Sequence, residues 1–363
     1  LGDVYKRQVY TVDLRQELQE GNRSIFSRKL QELMTDRLNK GQQTILFLNR
    51  RGYAGFVSCR SCGEVMKCPH CDVSLSEHKG GRLICHYCGY TQPMPKLCPK
   101  CGSKYILGFK AGTQQIEEKL KELYPGVRTL RMDADTTRTK DSYEKILSSF
   151  ANGEADVLIG TQMIVKGHDF PKVTLVGILA ADLSLNASDY RAGERTFQLL
   201  TQAVGRAGRG ALPGEAVIQT YQPDHYAITC AAAQDYESFY QEEILYRELS
   251  GYPPVAHMLA VQIYGKEEEN VKQLALRLTD VVKSNMDFLS GKQKEQSNKK
   301  IQVLGPAPAN ISKINDIYRY VFYVKHAEYD VLVEVKDRLE ETLRQWQPRQ
   351  MSIQFDFDPV SVL

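Results

Sequence analysis

The sequence predicts an α/β protein in which a parallel sheet carries an inserted two-zinc module and is followed by a ferredoxin-like α+β domain. Strands alternate with helices from about residue 44 to residue 220, which is the order of βαβ units. Eight of the nine cysteines form four Cys-x-x-Cys pairs between residues 59 and 101. After residue 251 the order becomes β-α-β-β-α-β, as in ferredoxin-like domains.

In the first part of the chain, the opening run from Leu1 to Gln8 reads as a sequencing scar and is excluded from fold reasoning. Asn22 or Ser24 is expected to cap a helix that ends at Gly41. A buried strand (44–48) and a basic turn (49–53) follow. The next predicted elements are a helix capped by Thr113 and running to 123, a strand at 127–132, a helix at 140–151, strands at 156–159 and 173–180, a helix at 189–207, a strand at 215–220 and a helix at 225–249.

The βαβ alternation ends at the Gly-Tyr-Pro-Pro run that begins at Gly251, where a second domain is predicted to begin. The predicted elements after it are a strand at 258–264, a helix at 267–288, a polar linker at 290–300, strands at 301–305 and 317–325, a helix at 328–344 and a strand at 351–357. The chain thus divides into residues 1–21 (scar and lead-in), 22–58 with 103–250 (the α/β lobe), 59–102 (the zinc insertion) and 251–363 (the C-terminal domain).

The four cysteine pairs predict two closed Cys₄ zinc sites. Zinc takes four thiolates in a tetrahedron, and a two-residue gap lets one turn direct two sulfurs at one metal. Glycine follows three of the pairs and tolerates the positive φ that such a turn needs. A disulfide framework is the alternative, although reducing compartments favour metal. We expect metal removal to unfold residues 59–102 and to spare the α/β lobe.

The spacing of the pairs favours a nested combination over sequential or interleaved ones. A glycine turn at 79–81 lies between two short β-like arms, 73–75 and 82–84, and this hairpin folds the second pair onto the third. One site would then hold Cys68, Cys71, Cys85 and Cys88, and the other Cys59, Cys62, Cys98 and Cys101. His70 and His86 are expected to be exposed loop residues, and Cys230 is expected to be buried in the helix at 225–249.

The sequence argues against a membrane-spanning protein, a secreted protein and a polycation. No run approaches the 18 apolar residues of a membrane span, and no signal peptide opens the sequence, so we expect a cytoplasmic protein. The formal net charge is only +3, so the chain as a whole is not a polycation.

Two segments carry a reaction signal. One is Gly-Thr-Gln-Met-Ile-Val-Lys-Gly-His-Asp-Phe at 160–170, and the other is Gln-Ala-Val-Gly-Arg-Ala-Gly-Arg-Gly at 202–210. Loops at the carboxyl ends of parallel strands bind ligands. Arginines three apart share one face of a helix, and planar guanidinium groups suit a γ-phosphate.

These residues resemble known helicase motifs. Gln-x-x-Gly-Arg-x-Gly-Arg is similar to motif VI of superfamily 2, Gly-Thr-Gln-x-x-x-Lys-Gly-x-Asp-Phe to motif V, and Leu-Phe-Leu-Asn-Arg-Arg-Gly-Tyr at 46–53 to motif IV. Because four Cys-x-x-Cys pairs lie between motifs IV and V, the chain resembles the PriA (primosomal protein N′) family. The resemblance covers residues 9–363. The resemblance implies that the α/β lobe is the second RecA-like lobe of a helicase and that residues up to 21 are a remnant of the link between lobes.

The resemblance also implies roles for individual residues. Arg206 and Arg209, with Gln202 beside them, would act on the ATP γ-phosphate, while Gly167 and Asp169 would couple the nucleotide to the DNA strand. The residues expected to bind the backbone of single-stranded DNA are Thr161, Lys166 and Arg51.

The sequence departs from a complete helicase in one respect. It contains no Gly-x-x-x-x-Gly-Lys-[Ser/Thr] phosphate loop and no acidic Walker B quartet. The resemblance therefore implies the C-terminal portion of an ATP-dependent 3′→5′ DNA helicase of replication restart, with ATP and Mg²⁺ shared with a first lobe and two Zn²⁺ in the insertion. This portion alone is expected to be inactive.

The implied partners are forked and single-stranded DNA, primosome proteins, single-stranded DNA-binding protein and the replicative helicase loader. No membrane is implied, and we expect a monomer. One alternative is a non-enzymatic zinc-containing scaffold that binds DNA and primosome proteins. A RecG-type translocase is a further alternative, but its second lobe has no eight-cysteine insertion.

Overall fold

The computed structural model describes residues 7–48, 57–70, 73–78, 81–85, 88–108, 112–133, 136–137, 139–161, 164, 170–186, 189–210, 212–284 and 300–360. Contacts divide the chain into two compact units. The first unit comprises residues 1–65, 95–187 and 191–240, and the second comprises 66–94, 188–190 and 241–363. The domain ranges given above remain predictions.

The first unit is built on a six-stranded sheet in which every pairing is parallel. In chain order its strands are β1 (Gln8–Asp13), β2 (Gln43–Phe47), β8 (Thr129–Met132), β9 (Val157–Gly160), β10 (Val173–Ile178) and β11 (Glu215–Thr220). Their order across the sheet is β1-β11-β10-β2-β9-β8. The sequence predicted the parallel sheet and all of these strands except β1.

Helices accompany the strands of this sheet. They are α1 (Leu14–Gln19), α2 (Arg28–Asn39), α3 (Thr113–Leu123), α4 (Lys140–Ala151), α5 (Asp182–Leu185), α6 (Ala192–Val204) and α7 (Tyr226–Ala233). Alternate residues of β2 point to opposite faces, because Ile45 and Phe47 join one apolar core and Leu46 another. The sheet is therefore buried on both faces, as parallel sheets are.

The start of α2 differs from the prediction. Ser27 is its N-cap, accepting from the Leu30 amide at 3.3 Å, whereas Asn22 and Ser24 were expected to cap it. Those two side chains cap turns instead. The amide of Ser24 donates to Asn22 Oδ1 at 3.0 Å, and the amide of Phe26 donates to Ser24 Oγ at 3.1 Å. Thr113, similarly, is the first residue of α3, and its N-cap is Gly112.

The helix predicted at 225–249 is two helices, α7 and α8 (Tyr236–Ser250). Gln234 adopts φ 56° at the end of α7, and Asp235 then accepts from the amide of Ser238 at 3.0 Å. Cys230, predicted to be buried, is half-buried against the core of the first unit.

The second unit contains a four-stranded antiparallel sheet with the order β13-β14-β12-β15. Its elements are β12 (His257–Gly265), α9 (Glu268–Ser284), β13 (Gln302–Ile314), β14 (Ile317–His326), α10 (Tyr329–Trp346) and β15 (Met351–Phe357). The apolar side chains of α9 and α10 pack on one face of this sheet. The element order and the strand order are those of a ferredoxin-like fold, as predicted.

The cysteine-rich segment is made of short strands: β3 (Val57–Cys59), β4 (Ser76–His78), β5 (Arg82–Ile84), β6 (Thr91–Pro93) and β7 (Ile106–Gly108). β4 and β5 form the predicted hairpin, although its first arm lies three residues later than expected. β3 pairs with β7. Among the described residues, no helix is both long and apolar enough to cross a membrane.

Candidate metal centres and nucleotide-binding motifs

Seven of the eight paired cysteines come together in two groups. The outer cluster comprises Cys59, Cys62, Cys98 and Cys101, and the inner cluster comprises Cys68, Cys85 and Cys88. Within each cluster all the sulfur atoms lie within 4.8 Å of one another. Cys71 lies outside the described residues. This is the nested combination of pairs.

The sulfur geometry fits zinc. In the outer cluster, Cys59 Sγ lies 3.6 Å from Cys101 Sγ, and Cys62 Sγ lies 3.6 Å from Cys98 Sγ. In the inner cluster, Cys68 Sγ lies 3.6 Å from Cys88 Sγ. Four sulfurs about 2.3 Å from one zinc ion would lie about 3.8 Å apart, whereas a disulfide needs about 2.05 Å. These distances therefore match thiolate coordination and not the disulfide alternative.

The backbone shapes all four pairs in the same way. In each, the amide of the first cysteine donates to the carbonyl oxygen five residues later at 2.8 Å; the acceptors are Glu64, Val73, Tyr90 and Ser103. Gly63, Gly89 and Gly102 adopt φ of +76°, +78° and +70°. A side chain is strained at such angles, which explains why glycine follows these pairs.

The thiols of the outer cluster differ in acidity. Burial opposes ionisation of Cys59, but hydrogen bonds from the Cys62 and Ser61 amides lower its pKa to about 7. Burial raises the pKa of Cys62 to about 12. A metal that binds here must therefore displace protons, so its affinity should rise with pH. His70, predicted to be an exposed loop residue, is exposed. His86 lies outside the described residues.

The Gly-Thr-Gln segment at 160–170 begins at the carboxyl end of β9. Thr161 directly follows Gly160, and its amide donates to the carbonyl of Met132 at 3.3 Å. A Cβ atom on Gly160 would lie 2.5 Å from that same carbonyl oxygen, so only glycine fits there. Lys166, Gly167, Asp169 and Arg51 lie outside the described residues, and their roles remain predictions.

The arginine motif lies at the end of α6, near the amino end of β10. Gln202 is exposed on the helix, which ends at Val204, so Arg206 and Arg209 lie beyond it in the chain that follows. The prediction that both arginines share a helical face is therefore wrong. Beyond Val204 the amide of Arg206 donates three residues back, to the carbonyl of Ala203, and Gly208 then adopts φ +66° and donates its amide to the carbonyl of Val173 at 2.9 Å.

Close backbone packing holds this arginine loop. A Cβ atom on Gly208 would lie 2.4 Å from the amide nitrogen of Gly214, and one on Gly210 would lie 2.4 Å from the carbonyl oxygen of Pro171. Arg206 is half-buried, whereas Arg209 is exposed and its Nε donates to the carbonyl of Gly205 at 2.9 Å. The loop thus presents one guanidinium group to solvent from a tightly packed backbone.

Sequence reasoning missed a buried polar group at the carboxyl ends of β10 and β11. Asp182 is fully buried and accepts from the Thr220 hydroxyl at 3.0 Å and from the Tyr221 amide at 3.0 and 3.1 Å. Burial raises its pKa to about 6, against the lowering effect of these hydrogen bonds and of the Arg60 charge. The only sequence signal is a lone acidic residue after an apolar strand.

Family comparisons cover most of the chain. Residues 248–360 match the primosomal protein N C-terminal domain, and residues 68–93 match the Cys-rich region domain of the PriA DNA helicase. Residues 97–211 match the helicase conserved C-terminal domain. Together with the two cysteine clusters, the Cys-rich match indicates zinc binding.

Two relatives of this chain are similar to it over nearly its whole length. The replication restart protein PriA of Bacillus subtilis is 44% identical over 98% of this chain and 43% of its own length. That of Synechocystis is 42% identical over 98% of this chain and 41% of its own length. The chain thus spans less than half the length of these relatives. The C-terminal domain of the DEAD-box protein Dbp5 is 13% identical over 67% of this chain and 97% of its own length, at a TM-score of 0.32, which is too low to add to the argument.

Proposed function

This chain belongs to the PriA family of replication restart proteins, and we propose that it supplies the second helicase lobe, the zinc segment and the C-terminal domain of an ATP-dependent 3′→5′ DNA helicase. One observation carries the proposal. The arginine motif follows α6 of a six-stranded parallel lobe, in a chain that is 44% identical to a replication restart protein over 98% of its length.

The proposed chemistry is electrostatic. Negative charge spreads over the γ-phosphate oxygens during phosphoryl transfer, and an arginine placed there stabilises that charge by a factor of about 10³–10⁵ in rate. Arg209 is suited to this role because it is exposed on a loop held by close backbone packing. Arg206 would supply a second guanidinium group to the same phosphate, and Gln202 precedes it in the last turn of α6. Gly167 and Asp169 would link the nucleotide to the DNA strand.

ATP and Mg²⁺ would be shared with a first lobe that carries a phosphate loop. The sequence of this chain contains no such loop, so we propose that the chain by itself does not hydrolyse ATP. We propose that Thr161 contacts the phosphate backbone of single-stranded DNA, and its place directly after the carboxyl end of β9 supports this role. Lys166 and Arg51 are proposed to do the same.

Two zinc ions would hold the cysteine-rich segment, one in each cluster. The outer ion would be bound by all four cysteines of its cluster, and the inner ion by Cys68, Cys85, Cys88 and Cys71. Both would be structural, because four thiolates leave no open coordination position. We propose a cytoplasmic monomer that acts on forked DNA with primosome proteins, single-stranded DNA-binding protein and the replicative helicase loader.

An unwinding assay tests this function. For this assay, the part of the Bacillus subtilis relative that precedes its match to this chain is fused in front of the chain. We expect ATP-dependent strand separation from a duplex with a 3′ single-stranded tail and little from one with a 5′ tail. DNA binding without unwinding on either tail would favour the alternative, a zinc-containing DNA-binding scaffold.

A further inference from the structure

The two cysteine clusters belong to different compact units. All four residues of the outer cluster lie in the first unit, whereas the described residues of the inner cluster lie in the second. The chain leaves the first unit after Val65 and rejoins it at Pro95. The 59–102 segment therefore does not form a unit of its own.

The outer cluster is tied to the first unit by the turn that contains Cys59 and Cys62. A Cβ atom on Gly63, the residue after this pair, would lie 2.5 Å from the carbonyl oxygen of Tyr221 and 3.4 Å from Arg15 Cδ. Tyr221 directly follows β11. The cysteine turn thus packs against the end of a central strand at a distance that only glycine allows.

The same turn makes a second contact with that strand end. The guanidinium group of Arg60 lies over the ring of Tyr221, 4.9 Å from its centroid. The amide of Tyr221 in turn donates to the fully buried carboxyl group of Asp182, where α5 begins. A continuous set of contacts therefore runs from the metal-binding turn to two elements of the lobe.

The inner cluster is tied to the second unit in the corresponding way. A Cβ atom on Gly89, the residue after Cys88, would lie 3.3 Å from the carbonyl oxygen of Pro306 and 3.7 Å from Ala307 Cβ. Ala307 is fully buried in β13, a strand of the four-stranded sheet. The inner turn therefore packs against the ferredoxin-like domain.

From these contacts we propose that the two metals stabilise different units: the outer metal holds the end of β11 in the helicase lobe, and the inner metal holds β13 in the C-terminal domain. A metal fixes the backbone of its cysteine turn, and the glycine contacts of each turn described above lie within its own unit. This differs from the expectation that metal removal unfolds residues 59–102 and spares the lobe. The inference does not depend on helicase activity.

Hydrogen exchange on the full zinc-loaded chain tests the proposal. Cys101→Ser removes a ligand of the outer cluster, and Cys88→Ser is the matched variant of the inner cluster. We expect Cys101→Ser to speed exchange at least ten-fold in peptides covering 215–224, with no change in 302–314. Cys88→Ser should do the reverse. Equal effects of both variants on one peptide, or no effect of either, would overturn the proposal.

A second experiment covers the case in which a cysteine variant does not fold. Zinc is removed stepwise from the unaltered chain with a chelator while metal content and the same peptides are followed. Loss of protection at 215–224 and at 302–314 should then track the loss of different zinc ions. If both peptides lose protection together with a single ion, the metals act on one module and the proposal is wrong.

Discussion

At the scale of single residues, the buried carboxyl of Asp182 gives a prediction on pH dependence. Its pKa is raised to about 6 because it is buried away from water. An unfolded aspartate titrates near 3.9, so between about pH 4 and pH 6 the folded state binds more protons than the unfolded state. The contribution of this group to stability therefore falls as pH rises through that window. Above about pH 6, the ionised carboxyl lowers the free energy of unfolding by an amount on the order of 3 kcal/mol.

Asp182→Asn should reduce this pH dependence. The free energy of unfolding of the variant, relative to the unaltered protein, should rise between about pH 4 and pH 6, because the variant has no proton to lose. Denaturant unfolding of zinc-saturated protein across this range measures the difference.

Asp156→Asn is the matched control. Burial of the Asp156 carboxyl raises its pKa, but hydrogen bonds from Arg128 outweigh burial, so the pKa of Asp156 is lowered. Asp156 therefore contributes stability above its unfolded pKa that is lost as pH falls below about 4, so the free energy of unfolding of this variant, relative to the unaltered protein, should not rise between about pH 4 and pH 6. If both variants change in the same direction with pH, the raised pKa of Asp182 is wrong.

At the scale of elements, the cysteine turns lead to a prediction on metal content. Because the sulfurs form two separate clusters, the purified and reduced protein should contain two zinc ions per chain, measured by elemental analysis. Cys98→Ser should lower this to one, and Cys230→Ser should leave it at two. One ion or none in the unaltered chain would contradict the assignment.

Elements were predictable where local signals decide them. The bounds of α4, β11 and β15 match the prediction, because apolar periodicity and turn residues mark them. The cap of α2 was predicted wrongly because several residues that can cap a helix lie close together in this segment. The sequence does not show which of them the helix follows. β1 was missed because it is defined by pairing with β11, about 200 residues away.

The candidate sites, too, were predictable where a local sequence pattern decides them and not where distant contacts do. The cysteine clusters follow from ligand spacing, and the nested grouping follows from the hairpin between the two middle pairs. The loop that carries Arg206 and Arg209 after α6 is held by the hydrogen bond of Gly208 to Val173 in β10, which the sequence does not show. The docking of Gly63 on Tyr221 likewise joins residues far apart in the chain, so no local pattern could reveal it.

At the scale of the whole molecule, DNA binding should depend on phosphate contacts. Affinity for single-stranded oligonucleotides should fall steeply as salt rises from about 50 to about 200 mM and should differ little between sequences of equal length. Fluorescence anisotropy measures both. Affinity that ignores salt, or that selects one sequence, would count against a phosphate-binding surface.

ATP turnover tests the central claim most directly. The chain alone should release no phosphate from ATP above background, because its sequence has no phosphate loop to hold the nucleotide on which Arg206 and Arg209 are proposed to act. Joined to the preceding part of its Bacillus subtilis relative, it should hydrolyse ATP in the presence of single-stranded DNA. Arg209→Ala should lower that rate at least 10³-fold, and Arg344→Ala, at an exposed arginine of α10, should not change it. Steady turnover by the chain alone that is lost in Arg209→Ala would contradict the account, as would a joined protein indifferent to Arg209→Ala.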